Sequence, residues 1–81
     1  MSMKLICIPC DKTNIDVFFA PDKVVAYYTY DSKKPEDNKE GHRHNHVLCI
    51  DTVGQSYVRY FRYMSVMAEY ERELARAIEA L

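Results

Sequence analysis

Glycine is scarce in this 81-residue sequence: only Gly41 and Gly54 are present. Both fall at loop or turn positions, so no glycine-rich phosphate cradle forms. No G-x-S-x-G, H-E-x-x-H or calcium-loop pattern occurs either. Carboxylates such as Asp11, Asp16 and Asp51 stand without an evident acid–base partner. These absences point away from an enzyme. Three cysteines cannot all pair and fall short of a secreted disulfide framework. No apolar run approaches the ~18 residues of a membrane span, and no signal-peptide pattern opens the sequence. The expected setting is cytoplasmic and reducing, with no membrane partner. A net charge of −1 provides no global attraction to nucleic acid. Tryptophan is missing altogether, while tyrosine occurs seven times.

What is present divides into strand-like and helix-like stretches. Residues 3–8 read as a short strand ended by Pro9. Residues 15–20 and 23–30 are rich in β-branched and aromatic side chains, with Pro21-Asp22 suited to a tight turn between them. A two-residue hairpin there sets Phe19 opposite Val24, Val17 opposite Ala26 and Ile15 opposite Tyr28. Residues 32–41 contain no apolar side chain and read as a mobile, solvated loop. Residues 42–51 then read as a fourth strand, apolar on both faces towards its end. The expectation is one α+β domain over 1–81. A four-stranded antiparallel meander sheet (3–51) is followed by one long C-terminal helix (53–81) packed on one face.

The helix is the strongest element of this reading. Thr52 and Gln55 fit the T-x-x-Q form of a capping box, and neither Gly nor Pro occurs from Gln55 to Leu81. Glu69 with Arg72 and Glu73 with Arg76 are spaced for surface pairs. At helical steps Tyr60, Met64, Met67, Leu74 and Ile78 share a broad apolar face, interrupted by Glu71. Such a helix is roughly 40 Å long, whereas a compact domain of this size is on the order of 30 Å across. The surplus apolar surface leads to an expected two-fold homodimer through Tyr60, Met64, Met67, Glu71, Leu74 and Ile78.

Two metal-ligand patterns compete with plainer explanations. His42, His44 and His46 alternate, and on a strand all three imidazoles point to one face. Cys7 and Cys10 form a C-x-x-C, and His46 and Cys49 an H-x-x-C, together the spacing of a four-ligand zinc site. Against these, a polar strand end explains the histidines. Cys7 and Cys49 lie among apolar residues, where a free cysteine packs as a small apolar side chain. No cofactor is expected on this plainer view.

The function expected is that of a small homodimeric protein-binding module, a regulator or inhibitor of a larger protein as in phage- or virus-type accessory proteins. Its recognition surface is expected on the outer sheet face and loop, with Phe18, Val25, Tyr27 and Arg43. A small zinc-binding domain is the first alternative. A single-stranded nucleic-acid-binding ββββα dimer, with strand aromatics stacking on bases, is the second; the acidic charge balance counts against it.

Overall fold

The computed structural model describes residues 4–81; Met3, the expected start of the first strand, lies outside them. The elements are β1 (Ile6–Ile8), β2 (Val17–Phe19), β3 (Val24–Asp31), β4 (His46–Thr52), β5 (Gln55–Phe61) and α1 (Met64–Glu79). Single 3-10 turns at Pro21–Lys23 and Pro35–Asp37 start with proline, whose fixed φ suits a first helical position. No helix among the described residues is long and apolar enough to cross a membrane.

The strands form two sheets rather than one four-stranded meander. β1 and β2 make an antiparallel ribbon with Ile6 opposite Phe19 and Ile8 opposite Val17. The other three make an antiparallel sheet in the order β3-β4-β5. The expected hairpin of residues 15–20 with 23–30 does not exist. Phe19 and Val17 pair backwards onto β1, and the Pro21–Lys23 turn carries the chain to a separate sheet. β3 pairs instead with β4, Tyr27 opposite Ile50 and Tyr30 opposite Val47, with a bulge between Val24 and Ala26.

The largest correction concerns residues 53–81, expected as a single helix. Gln55–Phe61 is a strand, and α1 starts at Met64. Thr52 and Gln55 are not a capping box but the last pair of a hairpin, closed by Thr52 Oγ1 donating to the Gln55 carbonyl at 2.8 Å. Gly54 takes the positive φ (+86°) that this two-residue connection requires at its second position. The strand obeys a period of two: Tyr57, Arg59 and Phe61 lie on the core side, with Ser56, Val58 and Tyr60 on the other.

One face of the three-stranded sheet is covered jointly by the β1–β2 ribbon and α1. Ile6, Ile8 and Phe19 from the ribbon meet Leu48, Ile50 and Phe61 from the sheet and Met67 and Leu74 from the helix. Tyr57 meets Phe19 edge-on at 4.9 Å, and Tyr70 stacks on Phe61 at 5.7 Å. The anticipated surface pairs Glu69–Arg72 and Glu73–Arg76 do not form. Among the described residues Lys12 pairs with Asp37, and His44 and His46 lie beside Asp37 and Asp31. At 16 residues the helix spans about 24 Å, well inside the molecule's 46 Å long axis. The surplus length that pointed to a helix-mediated dimer is absent.

A charged side chain sits in the middle of this core face. Arg59 is 7% exposed, between Tyr57 and Phe61 on β5. No carboxylate among the described residues pairs with it. Nη1 donates to the Ile15 carbonyl at 2.7 Å and reaches the Ile8 carbonyl at 3.4 Å, while Nε donates to Val58. The guanidinium thus clamps the end of β1 and the approach to β2 onto the sheet. Replacing it by methionine keeps an unbranched apolar stem but leaves three carbonyls short of a donor. Arg59→Met is expected to lower stability in urea by about 1–3 kcal/mol. An unchanged unfolding midpoint would show that the clamp contributes nothing.

Candidate functional site

The face of the three-stranded sheet turned away from the core carries Tyr28 and Tyr30 from β3, Val47 and Cys49 from β4, and Val58 and Tyr60 from β5. They lie in the cross-strand rows Tyr28–Cys49–Val58 and Tyr30–Val47–Tyr60. The face is split into two halves, one covered and one open.

The covered half lies over Val47, which is fully buried. Segment 32–41, expected as a solvated loop, is anchored there: Ser32 is buried, and Asp37 is 0% exposed. The Asp37 carboxylate accepts hydrogen bonds from the Ser32 hydroxyl and from Lys12 Nζ, the latter at 2.8 Å. His44 Nε2 approaches it at 3.4 Å without making a hydrogen bond. The backbone is tied in as well, with the His44 N–H donating to the Asp37 carbonyl at 3.0 Å. Lys12 also lies over the Tyr60 ring at 4.4 Å, and His44 meets the same ring edge-on at 6.1 Å. Burial opposes ionisation of Asp37, yet the hydrogen bonds from Lys12 and Ser32 outweigh it and hold the carboxyl below its ordinary range. The same bond to Asp37 raises the Lys12 ammonium.

Cys10 lies beside this cluster. Its sulfur accepts the Tyr60 N–H at 3.4 Å. Burial disfavours its thiolate, but donors from Thr13, Tyr60 and Lys12 more than compensate and lower the thiol. Asn14 closes the turn by donating its N–H to the Cys10 carbonyl, and takes a positive φ that asparagine tolerates.

The open half contains exposed Tyr28, Tyr30 and Val58 around buried Cys49. The two tyrosine rings stack at 6.3 Å with their planes 26° apart. The neighbouring Cys49 thiol raises the Tyr28 phenol; burial, then Cys49, raises that of Tyr30. Among the described residues β3 has no strand partner along its outer edge.

The anticipated site residues are distributed differently from expectation. His42 and His44 precede β4 and only His46 lies on it, so the three imidazoles do not share a strand face. His46 Nδ1 is 3.0 Å from Asp31, whereas His44 faces Asp37. Cys7 is half-buried on the ribbon, and Cys10 and Cys49 are buried free thiols. Among the described residues no three His, Cys, Asp or Glu side chains converge as metal ligands.

Of the proposed dimer face, Met67 and Leu74 are consumed by the monomer's own core, Ile78 packs against it, and Glu71 is half-buried. Tyr60 is on a strand, and of the six only Met64 is exposed. In the expected recognition surface, Phe18, Val25 and Arg43 are exposed, but Tyr27 turns inward beside Ile50. Its neighbours Tyr28 and Tyr30 face outward instead. The bulge at Val25 shifts the alternation, which the residue pattern of β3 does not reveal. Arg59 and Asp37 escaped sequence reasoning because charged side chains are rarely buried.

Compared with protein-family models, curated proteins and solved structures, the chain matches none.

The paired charges fix the pH response. Asp37, with a depressed folded-state value, contributes stability that is present above its unfolded value and lost as pH falls through the folded one. Lys12, with a raised value, contributes stability that is lost as pH rises through its folded value. Melting temperature is expected to decline below pH about 4 and above pH about 10. Asp37→Asn should lower the plateau between these limits and flatten both flanks. A variant with the wild-type profile would remove the pair from the account.

Proposed function

We propose that the protein is a homodimeric protein-binding module whose second copy joins at the free edge of β3. The observation that carries this reading is the composition of that edge. Val24 to Tyr30 holds no charge and no proline and is rich in β-branched and aromatic residues. Natural edge strands are commonly blunted by lysine or proline, because an unpaired row of N–H and C=O groups recruits another strand. Only the bulge at Val25 interrupts this edge.

A second copy is favoured over an unrelated strand by symmetry and charge. Antiparallel pairing of a strand with itself has a two-fold axis, and the same surface serves both subunits. Lys23 precedes the strand and Asp31 ends it. Pairing centred on Tyr27 brings Lys23 of each copy towards the partner's Asp31. The product is a continuous six-stranded sheet. Its outer face carries Tyr28, Tyr30 and Val58 twice, a doubled surface suited to a protein partner, since tyrosine combines a large apolar body with a polar tip.

The stacked pair Tyr28–Tyr30 also revives the nucleic-acid reading, because exposed aromatic rings on a sheet can receive bases. It is the weaker one. Lys12, whose ammonium lies over Tyr60 on this face, is already engaged by Asp37, and phosphate contacts supply most nonspecific affinity.

Sedimentation equilibrium of the untagged protein tests the reading. Wild type is expected at twice its 9.5 kDa mass. Ala26→Lys, a substitution on an exposed edge residue, should give a monomer that still unfolds cooperatively, at a somewhat lower melting temperature because association no longer adds to stability. A wild-type monomer at about 100 μM, weaker than the range of stable dimers, would overturn the proposal.

A further inference from the structure

Away from the edge strand, an open cavity of about 420 Å³ is lined by Glu40, Gly41, Arg43, Arg62 and Tyr63. This volume lies within the range of small-ligand sites. Its two walls come from distant parts of the chain, and each is anchored. On one side, Gly41 takes a positive φ (+80°) and the His44 N–H is held by the Asp37 carbonyl. The buried Asp37 side chain thereby supports the turn that carries Arg43. On the other side, the Arg62 N–H donates to Asp11 Oδ2 at 2.7 Å, fixing the backbone just before α1.

The chemistry of the lining is that of an anion site. Among the described residues neither Arg43 nor Arg62 uses its guanidinium in an ion pair or side-chain hydrogen bond. Two planar donor forks therefore line one cavity with their donor capacity unused within the protein. Guanidinium groups recognise phosphate and carboxylate by paired N–H···O bonds. Tyr63, 62% exposed, adds a ring face and a hydroxyl at the rim. The lining carries two positive charges against the one negative charge of Glu40. The start of α1 adds to the same potential, because Tyr63 supplies no side-chain cap and the first turn contains no acid.

We propose that this cavity binds a phosphate monoester. Arg43 and Arg62 hold the phosphoryl oxygens, and the ester's organic group lies against the Tyr63 ring. Glu40 opposes the dianion and serves as a selectivity element, accepting a hydrogen bond from a hydroxyl or ammonium group next to the phosphate. The inference is independent of β3 self-pairing, because no lining residue belongs to that strand.

The test is an NMR titration of the ¹⁵N-labelled protein with inorganic phosphate, phenyl phosphate and O-phosphoserine in parallel. Saturable shifts at the amides of Gly41, Arg43 and Tyr63 are expected, with the esters binding more tightly than inorganic phosphate. Arg43→Gln and Arg62→Gln should each weaken binding about ten-fold, the worth of one charge-assisted hydrogen bond, and the double variant should abolish it. Glu40→Gln should tighten phenyl phosphate more than O-phosphoserine, because the phosphoserine ammonium loses its Glu40 acceptor. Preference for phenyl phosphate would identify an aromatic ester as the ligand class, and preference for O-phosphoserine an aliphatic one bearing a cation. Non-saturating shifts spread over Lys33, Lys34 and the other basic residues would overturn the proposal. So would affinity unchanged in the double variant, whose fold is verified by its retained amide spectrum.

Discussion

The structure depends on where the Arg59 guanidinium finds its acceptors. A two-stranded ribbon of three-residue strands is too short to hold itself in water. It persists by laying Ile6, Ile8 and Phe19 into a common core, and by the Arg59 bonds to carbonyls on either side of its connection. Backbone oxygens accept these bonds, so the positive charge stays without a carboxylate partner. A buried charge is tolerated when hydrogen bonds replace water, and here the replacement joins the molecule's two sheets. With that junction made, α1 needs to cover only the remaining part of the same face.

The opposite face follows a second buried charge. Asp37 is carried inward by the Pro35–Asp37 turn and meets Lys12 from the β1–β2 connection, so two polar segments close over Val47 and half of Tyr60. The closure stops there. Tyr28, Tyr30 and Val58 remain open, and no described strand pairs with the outer edge of β3. The same anchoring that buries Asp37 positions the turn bearing Arg43 against the start of α1. The open sheet half and the arginine-lined cavity are therefore two consequences of one fixed connection.

Much of this was legible in the residues. The β-branched and aromatic runs at 17–19 and 24–31 are strands, the histidine-led stretch turns into the central strand, and the segment from Met64 onward is a helix. Pairing was not legible. Residues 15–20 and 23–30 resemble a hairpin because Pro21-Asp22 suits a turn, yet a 3-10 turn separates two sheets there. Likewise Q-S-Y-V-R-Y-F suits either period. Tyr57, Tyr60 and Met64 match helical spacing, while Tyr57, Arg59 and Phe61 match a strand. Val53-Gly54 ahead of it was the available hairpin signal, outweighed by the lack of any later Gly or Pro.

The sequence by itself determined the α+β composition, the positions of four of the five strands and the amphipathic helix. These rest on local propensity and on the spacing of apolar side chains, which neighbouring residues are enough to express. Only the tertiary structure decided which strands pair, that Gln55–Phe61 extends rather than coils, and that Arg59 and Asp37 lie inside. Each of those outcomes depends on groups far away in the chain. Arg59 meets a carbonyl 51 residues distant, and Asp37 a lysine 25 residues distant. A charge is buried only where its partners converge, and no local pattern carries that information.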